Sequence, residues 1–256
     1  MNLILFERHE ITSDNRAVLP LRDERAVHLL KTLHKKHGDS FDAGVSGGNR
    51  GKGVILTIHD VLTIKLMLNA HPPPRLPIRL GVGFVRPIQL RRILREAANF
   101  GIETLDFFVT GLGDPNYMST TLFDEAVPHC AAYSAMIEGA IEARDTCIPA
   151  VRRFPSLYGW LSALNETHAE NERLHSQIRI ALDNRDTVSS LFEVQPPIPE
   201  SLPVSVVLAV GSERGWTDEE RAELQRSGFE RRILGQRALR TETACIAAIV
   251  VAMSWL

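Results

Sequence analysis

The stretch VVLAVGSERGWTDEERAELQRSGFERRILGQRALRTETACIAAIVVA, residues 206–252, decides how the chain is read. It begins inside Val204 to Val210, an unbroken apolar run of the kind expected for a strand buried on both faces. Thr217-Asp218-Glu219-Glu220 reads as a capping box, in which the threonine hydroxyl and the glutamate carboxylate each satisfy a backbone N–H of the other. The helix it opens should end near Gly228. Ile233-Leu234 reads as a last strand, and Thr241 as the cap of a final, strongly apolar helix. Strand and helix in alternation imply a parallel α/β sheet.

The same alternation runs back through the preceding residues. Ile78 to Phe84, Leu105 to Val109 and Ile178 to Leu182 read as strands. Pro87 opens a helix at a position that tolerates proline, and that helix runs to Phe100 and stops at Gly101. Residues 120–145 read as helical. Upstream, His71-Pro72-Pro73-Pro74 can continue neither a helix nor a central strand. The domain boundary is therefore placed there, between residues 1–71 and 75–256. Before it, Leu3 to Phe6, Ser40 to Val45, Val54 to Ile58 and Ile64 to Leu68 read as strands. Gly47 to Gly51 forms the turn between the second and third of these. Ala26, Val27, Leu29, Leu30 and Leu33 follow helical spacing. Together they predict a small β-barrel with one helix.

Bulk composition excludes little. Hydrophobic residues are 44% and charged residues 23% of 256, and the formal charge is −2. That charge alone argues against a nucleic-acid partner, which usually leaves a basic footprint. It conceals a split, however: residues 1–95 carry +8 and residues 96–256 carry −10, and all five lysines lie in the first quarter. Cys130, Cys147 and Cys245 are too few and too scattered for a disulfide framework or a thiolate zinc site. The apolar tail Ala244 to Leu256 is shorter than the ~20 residues that span a bilayer. These features point to a cytoplasmic protein that uses no membrane and no metal. Gly81-x-Gly83 follows a strand but lacks the third glycine of a dinucleotide fingerprint.

Ligands of parallel α/β sheets gather beyond the carboxyl ends of strands. Three loops qualify: Leu182 to Arg185, Gly211 to Gly215, and Gly235 to Thr243. The last sets Arg237, Arg240 and Glu242 between a core strand and an apolar helix, where charges need a partner or a ligand. Trp216 is expected to pack the start of its helix.

In order and spacing, residues 206–252 resemble the C-terminal signature of the RsmE-type ribosomal RNA uridine-N3 methyltransferases, of the SPOUT superfamily. The matches include Gly211, Gly215, Thr217, Glu220, Leu234, Gly235, Arg237, Leu239, Arg240, Glu242, Thr243 and Ala244. HLLKTLHKKHGD, residues 28–39, is similar to a helix and turn of the family's PUA-like barrel, and LRRILREAANFGIETL, residues 90–105, to its linker helix. Departures are Ser212, Arg214 and Gln236, and a central motif largely lost over Glu138 to Arg144. The resemblance implies an α/β domain with a deep trefoil knot behind an N-terminal PUA-like barrel. It also implies S-adenosylmethionine as cofactor, a homodimer, and ribosomal RNA or the small ribosomal subunit as partner.

By position, the resemblance places the cofactor against Leu182, Asp183, Asn184, Gly211, Ser212, Glu213, Arg214, Gly215, Leu234, Gly235, Leu239, Arg240 and Thr243. The implied reaction needs an anionic uridine N3, and Arg237 or Arg240 would stabilise it. Pairing with Glu242 to shape the knot is the structural alternative for either arginine. Arg8, Lys31, Lys35, Lys36, Arg86, Arg91 and Arg92 form the expected RNA track. Two other readings stay open: an RNA-binding homologue with impaired catalysis, and a methyltransferase for another nucleotide.

Overall fold

The computed structural model describes residues 3–124, 126–127, 129–171, 176–186, 189–195 and 204–256. They fall into two compact units. One holds the chain up to Pro74 together with Ile137–Ile148, and the other holds Arg75–Met136 and Pro149–Leu256.

The first unit is a curled, five-stranded mixed sheet. Its strands are β1 (Ile4–Phe6), β2 (Arg16–Pro20), β3 (Ser40–Val45), β4 (Arg50–Ile58) and β5 (Val61–Ala70), in the order β1-β3-β4-β5-β2. β1 is parallel to β3 and the other pairs are antiparallel. The expected barrel is thus a half-barrel whose two edges share no ladder among the described residues. Asp23 caps the short helix α1 (Glu24–Val27), which continues as a π-helical turn over His28–Thr32. Its inward residues Ala26 and Leu29 join Phe6, Leu19, Ile55, Leu62 and Ile64 in the core. β2 was not foreseen, because only Ala17 and Leu19 face inward along it.

Residues 137–148 belong to this unit by direct bonds. The Gly47 N–H donates to the Thr146 carbonyl at 2.7 Å, and the Arg50 guanidinium donates to the Arg144 carbonyl at 2.8 Å. A single cut near residues 71–75 does not account for them, since backbone pairing across long sequence separations leaves no local signal.

The second unit is a six-stranded, wholly parallel sheet. Its strands are β6 (Leu76–Gly83), β7 (Ile102–Phe108), β8 (Ala150–Phe154), β9 (Ser176–Leu182), β10 (Val204–Val210) and β11 (Glu230–Arg232). Their order is β11-β9-β10-β6-β7-β8. The helices are α2 (Pro87–Phe100), α3 (Ala131–Glu142, shared with the first unit), α4 (Leu157–Asn171), α5 (Asp218–Arg226) and α6 (Thr241–Met253). α2 packs with α6, which also lies on β10 and β6. Trp160 and Leu164 of α4 and Leu224 of α5 bury Val207, Ala209 and Phe229. Gly81 is required here: a Cβ would lie 2.3 Å from the Trp160 ring. That close approach accounts for a glycine that might otherwise suggest a nucleotide loop.

Three sequence expectations change. The last strand ends at Arg232, and Ile233 makes only a single bridge, to Ser190. Thr241 is the first helical residue of α6, and Arg240 is its N-cap, without a side-chain cap bond. Among the described residues of 120–145, only Ala131–Glu142 is an α-helix. Just before it, the Thr120 hydroxyl and the Asp124 carboxylate accept backbone N–H bonds two residues on, a local alternative to helix. β8 and α4 went unpredicted. Arg152 and Arg153 break the apolar pattern of β8, yet Arg152 is held by a two-pronged bond to the buried Asp106, at 2.9 and 2.8 Å.

From β11 at the sheet edge, the chain returns past β9 to lay α6 on β10 and β6.

Candidate active site

The carboxyl ends of β9, β10 and β11 open into a cavity of about 530 Å³. Leu182, Asp183 and Asn184 line it from β9, and Gly211 to Gly215 from the loop before α5. Leu234, Gly235, Arg237, Leu239 and Arg240 line it from the loop before α6. Of the thirteen sequence-predicted cofactor positions, Thr243 alone does not line it. Thr243 is exposed, and Thr241 and Ala244 face the cavity in its place. Residues three apart share a helix face, and a start at Thr241 turns Thr243 outward.

The glycine-rich loop is a closed turn. The Gly215 N–H donates to the Ser212 carbonyl at 2.9 Å, and Gly215 sits at φ +75, where glycine carries no Cβ penalty. Thr110 Oγ1 bonds Ser212 Oγ at 2.9 Å in the buried base of the loop. Glu213 Oε1 accepts the Arg86 N–H at the start of α2, at 3.2 Å. Beyond the turn, Trp216 is 1% exposed and donates its indole N–H to the Leu182 carbonyl at 2.9 Å. It packs the loop, as expected. Thr217 and Glu220 form the capping box, and Glu220 also accepts the Gly111 N–H at 2.8 Å.

Charge is distributed unevenly around the cavity. Asp183 is buried and accepts from Arg221 Nε at 2.7 Å and from an Arg231 guanidinium nitrogen at 3.1 Å. The hydrogen bond to Asp183 pushes the Arg221 pKa up. The Asp183 carboxylate is therefore committed to the fold. Glu242, also buried, accepts from Gln89 Nε2 at 3.2 Å and pairs with Arg92 at 3.5 Å. It does not pair with Arg237 or Arg240, so that structural alternative is not the arrangement formed. Arg214, Arg237 and Arg240 are exposed on the rim, with no side-chain hydrogen bond or ion pair among the described residues.

Gln89, Leu112 and Ala238 also line the cavity and were not singled out in the sequence. Gln89 Oε1 is buried without a partner among the described residues, and so is Arg232 Nε. A lone glutamine in a first helical turn carries no signal until topology brings that turn to the loops. Of the RNA-track residues, Arg8, Lys31 and Lys36 are exposed and Lys35 half-buried in the first unit. Arg86, Arg91 and Arg92 are exposed at the start of α2 in the second.

A family model described as an RNA methyltransferase domain matches residues 72–253. Ribosomal RNA small subunit methyltransferase E of Treponema pallidum is 32% identical, covering 99% of this chain and 91% of that protein. Ribosomal RNA small subunit methyltransferase E 1 of Borreliella burgdorferi is 28% identical, covering 99% and 98%. The crystal structure of a ribosomal RNA small subunit methyltransferase E from Neisseria gonorrhoeae, bound to S-adenosyl methionine, shares the fold with a TM-score of 0.72. It is 17% identical and covers 98% of this chain and 97% of that one.

Proposed function

This chain belongs to the RNA methyltransferase family, and from that premise we propose that it transfers a methyl group from S-adenosylmethionine to N3 of a uridine in 16S ribosomal RNA. The observation that carries this reading is the convergence of three loops, from β9, β10 and β11, on one cavity at the carboxyl edge of a parallel sheet. The cofactor fits what is there. The closed Ser212–Gly215 turn allows close approach of a ligand to the backbone, and the orphan Gln89 Oε1 can accept from an amine or ammonium. Leu182, Asn184, Gly211, Gly215, Leu234, Gly235 and Leu239 would hold it, and Asp183 would contribute backbone rather than its committed carboxylate. Thr243 leaves the set, and so does Arg214, whose side chain is exposed at the rim; Thr241 and Ala244 enter it.

S-adenosylmethionine supplies an activated sulfonium methyl when bound. The protein must position the uridine and favour loss of the N3 proton. Arg240, at the N-cap of α6, and Arg237 beside it carry permanent charge and no competing partner. They stabilise the uridine anion as it forms. Arg8, Lys31, Lys35, Lys36, Arg86, Arg91 and Arg92 bind RNA phosphates. Two copies of the chain pair through α6, whose apolar residues continue onto its outer face, with Val250 51% and Met253 41% exposed. The reaction takes place in the cytoplasm, which suits the free Cys130, Cys147 and Cys245.

Two measurements test the reading. Calorimetry should give a saturable heat with S-adenosylmethionine, and no binding at millimolar cofactor overturns the enzyme assignment. Mass spectrometry of 16S ribosomal RNA from a strain lacking the gene should show N3-methyluridine lost. Its persistence moves the target to another nucleotide.

A further inference from the structure

We infer that the cavity rim around Arg214 is a phosphodiester subsite, holding the RNA backbone beside the target uridine; the inference rests on the methyltransferase reading above. The argument is one of charge. Arg214, Arg237 and Arg240 surround one cavity with no partner among the described residues. Of the two carboxylates in the cavity wall, Asp183 is paired with arginines, whereas Glu213 keeps its charge and offsets one guanidinium of the three. Asp183 takes Arg221 and Arg231, and Glu213 takes the Arg86 N–H with one oxygen. The rim therefore carries a surplus of positive charge.

The proposed cofactor does not answer that surplus. S-adenosylmethionine is itself a net cation at neutral pH, with a sulfonium and an ammonium against one carboxylate. Glu213 and a uridine anion each offset one guanidinium, and the cofactor as a whole adds a positive charge, so the loaded site keeps a positive surplus. A ligand that is cationic overall does not favour the remaining charge, whereas a phosphodiester does. Arg214 is the residue placed to take it. It lies in the turn whose backbone is fixed by the Gly215 N–H bond to Ser212, while its side chain is exposed and free. The neighbouring Glu213 is tied back to α2, which leaves Arg214 as the only charged side chain of the turn without an engagement among the described residues. A guanidinium on a rigid turn offers planar, two-pronged recognition of phosphate oxygens at small entropic cost.

The test uses the full-length protein and a uridine-containing RNA oligonucleotide, with binding measured by fluorescence anisotropy over a series of potassium chloride concentrations. Arg214→Gln should reduce the steepness of log K against log salt by about 0.7–0.9, one phosphate contact. Arg214→Lys should restore most of it. S-adenosylmethionine affinity by calorimetry should change less than twofold. Arg226→Gln removes an equal charge from α5, where Arg226 pairs with Glu223 outside the cavity, and should leave the slope alone. An unchanged slope in Arg214→Gln overturns the inference, and so does an equal loss in Arg226→Gln, which would mark bulk charge alone. A tenfold loss of cofactor affinity with the slope intact also overturns it, by assigning Arg214 to the cofactor carboxylate. If the wild-type protein binds no S-adenosylmethionine, the methyltransferase reading fails, and the salt slopes still score the subsite.

Discussion

Two walls of the same cavity treat arginine in opposite ways. Beside β9, Arg221 and Arg231 close on the buried carboxylate of Asp183, whereas the side chains of Arg214, Arg237 and Arg240 stand exposed on the rim without partners among the described residues. Burial separates the two cases. A guanidinium taken out of water must find its carboxylate within the fold, and removing that carboxylate strands the charge. A guanidinium at a rim stays solvated and keeps its full capacity for an anion. Cohesion and the recognition proposed for the rim are thus built from one side-chain type within a single site.

The comparison is most exposed to failure at Asp183. Asp183→Ala removes the buried acceptor of two guanidiniums, of which Arg221 keeps Asp218 at 2.8 Å, and the expected loss is about 1.5–3 kcal/mol, read as a lower urea midpoint. A loss no larger than the ~0.5 kcal/mol of an ordinary surface change would show this wall to be as solvated as the rim. On the opposite wall, Arg240→Ala should lower kcat about 10²–10³-fold. Its thermal midpoint should fall by no more than the ~4 °C that corresponds to about 1 kcal/mol. Equal turnover in the variant refutes the role given to Arg240.

Thr217→Ala sharpens the contrast from the scaffold side. It removes the cap behind the glycine-rich turn and should cost about 1 kcal/mol, with cofactor affinity reduced less than stability. Calorimetry and urea unfolding on the same sample would separate the two effects. Acid provides the smallest effect, in the first unit, where Arg25 is bonded as fully as Arg221. Hydrogen bonds from Arg25 hold both Glu10 and Asp23 below the ordinary carboxylate range. The unfolded chain therefore binds these protons more readily than the folded one. The stabilisation is complete above the unfolded pKa and disappears as pH falls through the carboxylate range to the lowered values. Arg25→Gln should flatten that part of the stability–pH curve, and a curve parallel to wild type would show the coupling to be absent.

How far each element could be read depended on whether its cause was local. α2 was legible to the residue, since Pro87 and Gly101 mark its ends by their own backbone chemistry. The Thr217–Glu220 box and the β10 run were equally plain. β8 was hidden because its Arg152 answers to Asp106 on β7, and residues 137–148 because their bonds go to β4 and the turn before it. Within the site, the loops could be named from glycine spacing and the family resemblance. Gln89 could not, as nothing near it in sequence announces the cavity. Thr243 was named from the position of the family motif, which does not say which face of α6 a residue takes; it is exposed, and Thr241 and Ala244 line the cavity.

By itself, the sequence determined the α/β class, the family, the three loops that meet at the cavity, and the uneven distribution of charge along the chain. These follow from short-range rules of periodicity, capping and turn chemistry, or from a motif whose spacing survives divergence. The tertiary structure alone decided which charges are free. Asp183 and Arg214 both read as polar loop residues. Only the folded chain brings Arg221 and Arg231 onto Asp183 and leaves Arg214 unclaimed, because pairing depends on distance in space and on exclusion of water.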